Sequence, residues 1–225
     1  MTGILLQAKN LVRTLDGEIK VTLVKDISLD IEEGKFTSIT GPSGSGKSSL
    51  LYLLGLLDKP TTGSVFVEGV ETTKLNEDKL AQFRLEKLGF IFQFHFLLPE
   101  FTALENVRMP MQRLGRLSPK EQDEKAMHLL ESVGLKEQAH KLPKQMSGGQ
   151  NQRTAIARAL ANDPALVMAD EPTGNLDTHS AATVQQILRD IAHTSGRAVV
   201  AVTHDADFAD TADRRVHIVD GKIES

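Results

Sequence analysis

The alternation of hydrophobic and polar positions along the chain predicts a fold of mixed strands and helices. Near the N terminus, apolar residues alternate with polar ones around turns at Asp16-Gly17 and Glu33-Gly34, a pattern typical of antiparallel strands. Farther along, continuous apolar runs predict buried strands, and such runs suit parallel strands covered on both faces. The predicted strands are 4–6, 21–24, 27–31, 36–40, 65–67, 89–92, 165–169, 198–202 and 216–219.

Helical patterns fill the segments between these strands and dominate the middle of the chain. Capping boxes at Thr102 and Ser118 each predict a helix start, and Gly134 ends the second of these helices. Further helices are predicted at 49–54, 75–88, 147–161 and 181–192. The segment from about 96 to 160 is therefore expected to be an α-helical subdomain inserted into an α/β core, within a single domain spanning residues 1–225.

Composition narrows the functional classes. The formal net charge of −4 and the scarcity of aromatic residues argue against a nucleic-acid partner. The chain has no cysteine, which excludes a disulfide framework and cysteine chemistry. The N terminus lacks the pattern of a signal peptide, and no apolar run approaches the ~18 residues of a membrane span. Any membrane role is therefore expected to come through a partner.

A glycine-rich segment carries the strongest chemical signal. It reads Gly41-Pro42-Ser43-Gly44-Ser45-Gly46-Lys47-Ser48, with Ser49 opening an apolar helix, and it matches the P-loop pattern in its strand–loop–helix context. Glycines let backbone N–H groups turn inward around phosphate oxygens, and the helix start adds its positive dipole end. Lys47 is expected to reach the β- and γ-phosphates, and Ser48 to bind Mg²⁺. The alternative is a glycine-rich turn with a chance lysine.

Four polar residues follow the ends of predicted strands, where parallel sheets bind their ligands. Asp170 is a candidate Mg²⁺ ligand, and Glu171 a candidate base for an attacking water. Gln93 offers an amide to Mg²⁺ or water, and His204 could contact the γ-phosphate or that water. The alternatives are an acidic helix cap for the two carboxylates and, for residues taken alone, a solvated glutamine and a structural histidine.

A pair of adjacent glycines follows Ser147 at the start of another predicted helix. The run Ser147-Gly148-Gly149-Gln150 offers another phosphate-binding helix start, although alone it could be only a cap and a turn. One nucleotide does not need two such sites in one chain. The second site is therefore expected to serve the nucleotide of another copy, in a two-fold dimer that places Ser147 against the opposite γ-phosphate.

Together these residues resemble the ATP-binding-cassette (ABC) family over essentially the whole chain. In family order, the motifs are Gly41–Ser48 (Walker A), Gln93 (Q-loop), Met146–Gln150 (signature), Leu166–Asp170 followed by Glu171 (Walker B and catalytic carboxylate), Asn175–Asp177 (D-loop) and His204 (switch histidine). The resemblance implies an ATPase with a RecA-like P-loop NTPase core, an antiparallel β subdomain and a helical insert. It also implies ATP and Mg²⁺ as cofactors.

The resemblance assigns a role to each candidate residue. It implies Lys47, Glu171 and His204 as catalytic residues, and Ser48, Gln93 and Asp170 as metal ligands. The residues expected to contact the nucleotide are Leu15, Gly41, Pro42, Ser43, Gly44, Ser45, Gly46, Lys47, Ser48, Ser49, Gln93, Ser147, Gly148, Gly149, Gln150 and Asp177.

The segments 93–107 and 169–177 are similar to the lipoprotein-release and macrolide-export branch of the family (LolD- and MacB-like). That similarity implies a subunit on the cytoplasmic face of the inner membrane, held there by transmembrane permease subunits that contact the region near 93–107. An alternative is a regulatory ATPase like FtsE, which signals through a membrane partner without moving cargo. DNA-repair relatives insert coiled coils or zinc modules before the signature, and this chain shows neither.

Two positions depart from the family pattern. Met146 stands where leucine is usual, and methionine fills similar space. The family usually stacks adenine on an aromatic residue before the P-loop, whereas residues 1–35 contain no Phe, Tyr or Trp. Leu15 occupies the equivalent position and offers apolar contact without ring stacking. Weak discrimination between ATP and GTP is therefore expected.

Overall fold

The structure is a computed structural model that describes residues 3–17 and 20–224. Its strands are β1 Ile4–Leu15, β2 Val21–Glu32, β3 Phe36–Thr40, β4 Thr62–Val67, β5 Val70–Glu71, β6 Leu88–Phe92, β7 Leu166–Asp170, β8 Ala198–Val202, β9 Arg214–Val219 and β10 Lys222–Glu224. Its helices are α1 Lys47–Leu54, α2 Glu77–Lys87, α3 Ala103–Leu114, α4 Pro119–Ser132, α5 Gly148–Ala159, α6 Thr178–His193 and α7 Ala206–Asp210.

The strands form two sheets, which confirms the predicted α/β fold with a separate antiparallel part. The smaller sheet is antiparallel and has the strand order β2-β1-β4-β5. The larger sheet has the order β10-β9-β3-β8-β7-β6. Its strands run parallel except for β10, which pairs antiparallel with β9 at one edge.

The larger sheet separates two hydrophobic cores. Side chains alternate across a strand, so Val167 and Ala169 of β7 face one core while Leu166 and Met168 face the other. The first core joins the sheet to helices α3 to α6, and the second joins it to α1 and the antiparallel sheet. Both faces of the parallel strands are therefore covered, as their continuous apolar runs predict.

The middle of the chain is helical, and both predicted capping boxes are present. Thr102 caps α3 together with Glu105, and Ser118 caps α4 together with Glu121. Gly115 follows α3 with a φ of 71°, a left-handed conformation that glycine adopts at little cost. Helices α3, α4 and α5 pack on one another and share the first core, so their apolar faces are buried together.

Some element boundaries differ from those predicted. The helix predicted over 75–88 begins only at Glu77, because Asn76 caps it by accepting a bond from the Lys79 N–H, and Leu88 already belongs to β6. The short α7 and β5 were not predicted, since five and two residues are too few for a periodic signal. The turn predicted at Asp16-Gly17 lies at the edge of the described ranges, because residues 18 and 19 fall outside them.

No helix in the described ranges combines the length and the apolar character that crossing a membrane requires.

Candidate functional site

Four strand ends lie side by side and place the predicted site residues on one edge of the larger sheet. In the order β3-β8-β7-β6, Ile39 pairs with Val202, Val202 with Asp170, and Asp170 with Phe92. The segments that follow these residues therefore leave the sheet at the same level. They contain the glycine-rich loop, His204, Glu171 and Gln93.

The glycine-rich loop wraps around the start of α1 and leaves no room for side chains at two of its glycines. Gly41 has a φ of 143°, and a Cβ added to it would lie 2.0 Å from the Ile218 carbonyl oxygen. Gly46 has a φ of 99°, and its added Cβ would lie 2.3 Å from the Leu23 carbonyl oxygen. These positions require glycine on both conformational and steric grounds, as a tightly wound phosphate-binding loop does.

The Lys47 ammonium lies back across this loop. Its Nζ donates to the carbonyl oxygens of Gly41 at 3.0 Å and Pro42 at 2.8 Å. Pro42, Ser43 and Gly44 are exposed, Ser45 is buried, and Ser48 and Ser49 continue the first turn of α1. An ammonium on a flexible stem at the mouth of a loop of backbone N–H groups suits the binding of phosphate oxygens.

The Asp170 carboxylate accepts hydrogen bonds from two hydroxyl groups on one face of α1. Ser48 Oγ donates to its Oδ1 at 2.9 Å, and Tyr52 Oη donates to its Oδ2 at 2.8 Å. Burial, the hydrogen bond to Asp170 and the charge of Asp170 together raise the pKa of Tyr52 to about 12. The tyrosine therefore remains a neutral donor under ordinary conditions.

Sequence reasoning did not identify Tyr52 as part of the site. The signal available was its spacing, since residues four apart share a helix face and Tyr52 follows Ser48 by one turn.

The oxygen atoms of Ser48 and Asp170 fit a hard divalent cation such as Mg²⁺. Within the described ranges, no cluster of three or more His, Cys, Asp or Glu side chains could hold a metal alone. This donor set suits an ion that keeps several waters and is bound by one or two protein oxygens plus phosphates.

Glu171 and His204 meet across the neighbouring ends of β7 and β8. Glu171 has a φ of 46°, and its N–H donates to the Val202 carbonyl at 3.0 Å. Its Oε2 lies 2.8 Å from His204 Nδ1. The side chain of Glu171 is largely buried, whereas that of His204 is largely exposed.

Gln93 lies against the loop that follows Glu171. Its Nε2 donates to Asn175 Oδ1 at 3.2 Å, and a Cβ added to Gly174 would lie 2.9 Å from the same nitrogen. On the other side, Gln152 of α5 donates to the Phe92 carbonyl at 3.0 Å. The predicted Q-loop residue thus contacts the predicted D-loop, and its neighbour Phe92 is bonded to the helix of the predicted signature.

The starts of α5 and α6 pack against each other. Ser147 and Gln150 form a capping box, with Ser147 Oγ accepting from the Gln150 N–H at 3.2 Å. A Cβ added to Gly149 would lie 2.4 Å from Ser180 Oγ, so this contact requires glycine. Asp177 caps α6, and its bonds from the Ser180 hydroxyl and backbone N–H lower its pKa. Gly148 lies between Ser147 and Gly149 in the first turn.

Among the described residues, no side-chain hydrogen bond, ion pair or ring contact joins Leu15 to these groups. Leu15 is the last residue of β1, pairs with Val21 and is 44% exposed. It therefore presents an open apolar surface at the tip of the antiparallel sheet, next to residues that lie outside the described ranges.

Comparison with known proteins agrees with this arrangement. The family model for ABC transporters matches residues 24–174. The chain is 54% identical over 93% of its length to the lipoprotein-releasing system ATP-binding protein LolD 1 of Chlorobium chlorochromatii, covering 85% of that protein. It is 48% identical over 97% of its length to the lipoprotein-releasing system ATP-binding protein LolD of Aquifex aeolicus, covering 96% of that protein.

Solved structures show the same fold. A dimeric post-hydrolysis state of the ATP-binding cassette MJ0796, bound to ADP and Pi, superposes with a TM-score of 0.91 at 42% identity. The match covers 98% of this chain and 97% of that one. These relatives favour the transporter function over the FtsE-like regulatory alternative. The chain therefore belongs to the ABC transporter family, and its fold is the ATP-binding cassette of that family.

Proposed function

We propose that the chain is the ATP-hydrolysing subunit of a transporter of the lipoprotein-releasing type, acting as a homodimer beneath membrane permease subunits. The observation that carries the proposal is the contact between Ser48 Oγ and Asp170 Oδ1 at 2.9 Å. It brings a P-loop hydroxyl and a strand-end carboxylate together beside the loop that would hold the phosphates. The relatives named as LolD proteins support the transporter type.

The phosphate loop would bind the triphosphate through its backbone N–H groups and the N terminus of α1. Lys47 would exchange its bonds to the Gly41 and Pro42 carbonyls for bonds to phosphate oxygens. Ser48 and Asp170 would hold Mg²⁺, with the Gln93 amide as a third ligand once it leaves Asn175. When bound, Mg²⁺ neutralises charge on the β- and γ-phosphates.

Glu171 would accept the proton of the attacking water, and His204 would hold Glu171 in position. The 2.8 Å contact between His204 Nδ1 and Glu171 Oε2 fixes one carboxylate oxygen and leaves the other free to face the water. Because His204 is exposed while Glu171 is largely buried, the histidine can also respond to what approaches from outside the chain.

A second copy would complete each nucleotide site. Ser147 opens α5 on the helical insert, with exposed positions at 147 and 148 on either side of the helix start. That arrangement suits a helix N terminus offered to a phosphate on another molecule. The similar cassette bound to ADP and Pi is dimeric, which supports the same assembly here.

A cysteine pair tests this dimer directly, because the chain has no cysteine of its own. In a Glu171→Gln background, Ser43→Cys and Ser147→Cys would be combined in one chain and oxidised with ATP and Mg²⁺. We expect a disulfide-linked dimer that needs nucleotide, and no such dimer from either cysteine alone. A cross-link that forms only within one chain would contradict the two-chain site.

An apolar surface beside Gln93 is the proposed permease contact. Phe94 and Phe96 are 64% and 62% exposed, and Leu98 and Phe101 are also exposed. We call these four residues the docking surface. Phe96 packs edge-on against Phe92, with ring centroids 5.4 Å apart.

The docking surface continues into a cavity of about 340 Å³. Phe92 lines this cavity with Phe90, and Leu85 of α2 and Pro110 of α3 form its sides. A groove of this size between two helices suits a short apolar helix from the permease. This contact would hold the chain at the cytoplasmic face of the inner membrane, and the permease would select the cargo.

Co-purification tests the docking surface. Phe94→Ser combined with Phe96→Ser should abolish retention of the chain by permease-containing membranes, while ATP binding by the isolated chain stays unchanged. Val70→Ser is the control, because Val70 is an exposed apolar residue on the antiparallel sheet. Unchanged retention of the double variant would contradict this contact.

A further inference from the structure

We propose that Tyr52 is a positioning residue for the metal site, because its phenol fixes the orientation of the Asp170 carboxylate. This inference rests on the proposed function, in which Asp170 and Ser48 hold Mg²⁺. Nothing in the P-loop or Walker B patterns includes this tyrosine, and it is the only tyrosine in the chain.

The two hydroxyl groups on α1 hold one carboxylate oxygen each. Ser48 and Tyr52 are separated by one helical turn and therefore project from the same face. Ser48 Oγ lies 2.9 Å from Oδ1, and Tyr52 Oη lies 2.8 Å from Oδ2. A carboxylate that is bound at both oxygens cannot rotate about its terminal torsion without breaking a hydrogen bond. Its Oδ1 atom is therefore kept beside Ser48, where the proposed metal would bind.

Tyr52 is itself held from two directions, which allows it to fix Asp170 rather than follow it. Its ring packs against the core between the larger sheet and the antiparallel sheet. Its backbone carbonyl accepts hydrogen bonds from the N–H groups of Leu57 at 2.8 Å and Asp58 at 3.2 Å. Asp170 is only 9% exposed, so little water is available to replace the phenol.

The expected consequence concerns metal affinity and not nucleotide affinity. The Tyr52 hydroxyl bonds Asp170, and the phosphate loop is formed by other residues. Loss of a group that orients a metal ligand typically weakens metal binding by about tenfold or more. Tyr52→Phe should therefore weaken binding of the metal about tenfold and leave metal-free nucleotide binding unchanged.

The experiment measures ADP affinity of the full chain by calorimetry, once with Mg²⁺ and once with EDTA. In the parent, Mg²⁺ should increase the affinity, and a parent without that increase would contradict the proposed function itself. In Tyr52→Phe, the ratio of the two affinities should fall about tenfold while the value in EDTA is retained. Binding of Mn²⁺ to the ADP complex, followed by electron paramagnetic resonance, should weaken in parallel.

Thr72→Val is the matched control, because it removes another hydroxyl group that makes a hydrogen bond. Thr72 Oγ1 donates to the Val65 carbonyl of the antiparallel sheet at 2.8 Å. This variant should leave the ratio unchanged. An unchanged ratio in Tyr52→Phe would overturn the inference. Equal losses of affinity in Mg²⁺ and in EDTA would overturn it too, since they would show a general structural role.

Discussion

His204 Nδ1 lies 2.8 Å from Glu171 Oε2, so a residue two positions past the end of β8 makes a close polar contact with the residue that follows β7. The contact follows from the sheet, because β7 and β8 are parallel neighbours that end in register. It suggests that His204 acts through Glu171, and not only through the γ-phosphate or the attacking water, the two contacts that the sequence alone suggested.

A double-mutant cycle separates these two roles. If His204 acts by positioning Glu171, His204→Ala should reduce kcat strongly in the parent but have little further effect in Glu171→Gln. Steady-state ATPase assays of the four proteins with the permease provide the measurement. Multiplicative losses in the double variant would instead indicate that His204 contacts the phosphate independently of Glu171.

Glu171→Gln should trap an ATP-bound dimer. Loss of a general base typically costs roughly 100-fold to 10,000-fold in rate, whereas the amide keeps the size of the side chain and should preserve nucleotide binding. Turnover assays and light scattering after gel filtration with ATP would measure both effects. Glu137→Gln, at an exposed position on the helical insert, should behave like the parent. A variant that stays monomeric with saturating ATP, even beside its permease, would refute the trapped dimer.

The sequence alone predicted the main strands and most of the helices because the signals for these elements are local. The Thr102 and Ser118 capping boxes and the apolar runs at 165–169 and 198–202 identify their elements without any long-range information. Strand order is not local, and only the structure shows that Glu171 and His204 are neighbours.

The candidate site was predictable where a motif fixes the backbone, as at Gly41 and Gly46. It was less predictable where side chains from different elements meet. The Tyr52–Asp170 bond joins residues 118 positions apart, and the Gln93–Asn175 bond joins residues 82 apart. Spacing along one helix shows which residues share a face, but such contacts also depend on how separate elements pack together, which the spacing does not encode.

Leu15→Tyr should increase the preference for ATP over GTP. Leu15 is an exposed apolar residue at the end of β1, and a tyrosine there would add a ring on which adenine can stack. Competition binding and hydrolysis rates with both nucleotides would measure the change, which we expect to be roughly threefold to tenfold. Leu15→Met, which adds no ring, should leave selectivity near that of the parent. Equal selectivity of Leu15→Tyr and the parent would count against Leu15 as the base contact.

Asp213 should stabilise the fold in a pH-dependent way. Burial raises the pKa of its carboxyl, but the Phe36 N–H, His193 and Lys35 outweigh this effect and lower the pKa below the ordinary value of 3.8. The stabilisation is therefore complete above about pH 4–5 and is lost as the pH falls through the folded-state pKa.

Asp213→Asn should accordingly be less stable than the parent at pH 7 and nearly equal to it in strong acid. Solvent screening limits the difference to ~0.5 kcal/mol. Urea midpoints measured from pH 7 to pH 2.5 would show the two curves converging, while Asp16→Asn, at an exposed ion pair with Lys20, should follow the parent throughout. A difference that persists at the lowest pH would mean that the carboxylate charge is not responsible.

Asn106 should contribute both to the stability of the fold and to permease binding. Its buried amide holds the segment 98–102, which carries two of the four residues of the docking surface. Its Oδ1 accepts from the Leu98 N–H at 2.8 Å, and its Nδ2 lies within hydrogen-bond distance of the Leu98, Phe101 and Thr102 carbonyls. Asn106→Leu keeps the approximate volume but leaves these groups unpaired. We expect a loss of roughly 1–3 kcal/mol in the free energy of unfolding.

The same variant should bind permease-containing membranes poorly even at temperatures where it remains folded, since Leu98 and Phe101 would no longer be held in place. Gln122→Leu is the matched control, because it removes another buried amide. The Gln122 amide donates to the Leu117 carbonyl at 2.8 Å just before α4, and among the described residues no hydrogen bond joins it to the docking surface. Urea denaturation and membrane retention assays on both variants would separate the two effects. Comparable destabilisation with loss of binding only in Asn106→Leu is the expected result, because only Asn106 fixes the segment that meets the permease. Full retention of Asn106→Leu would show that the segment docks without this support.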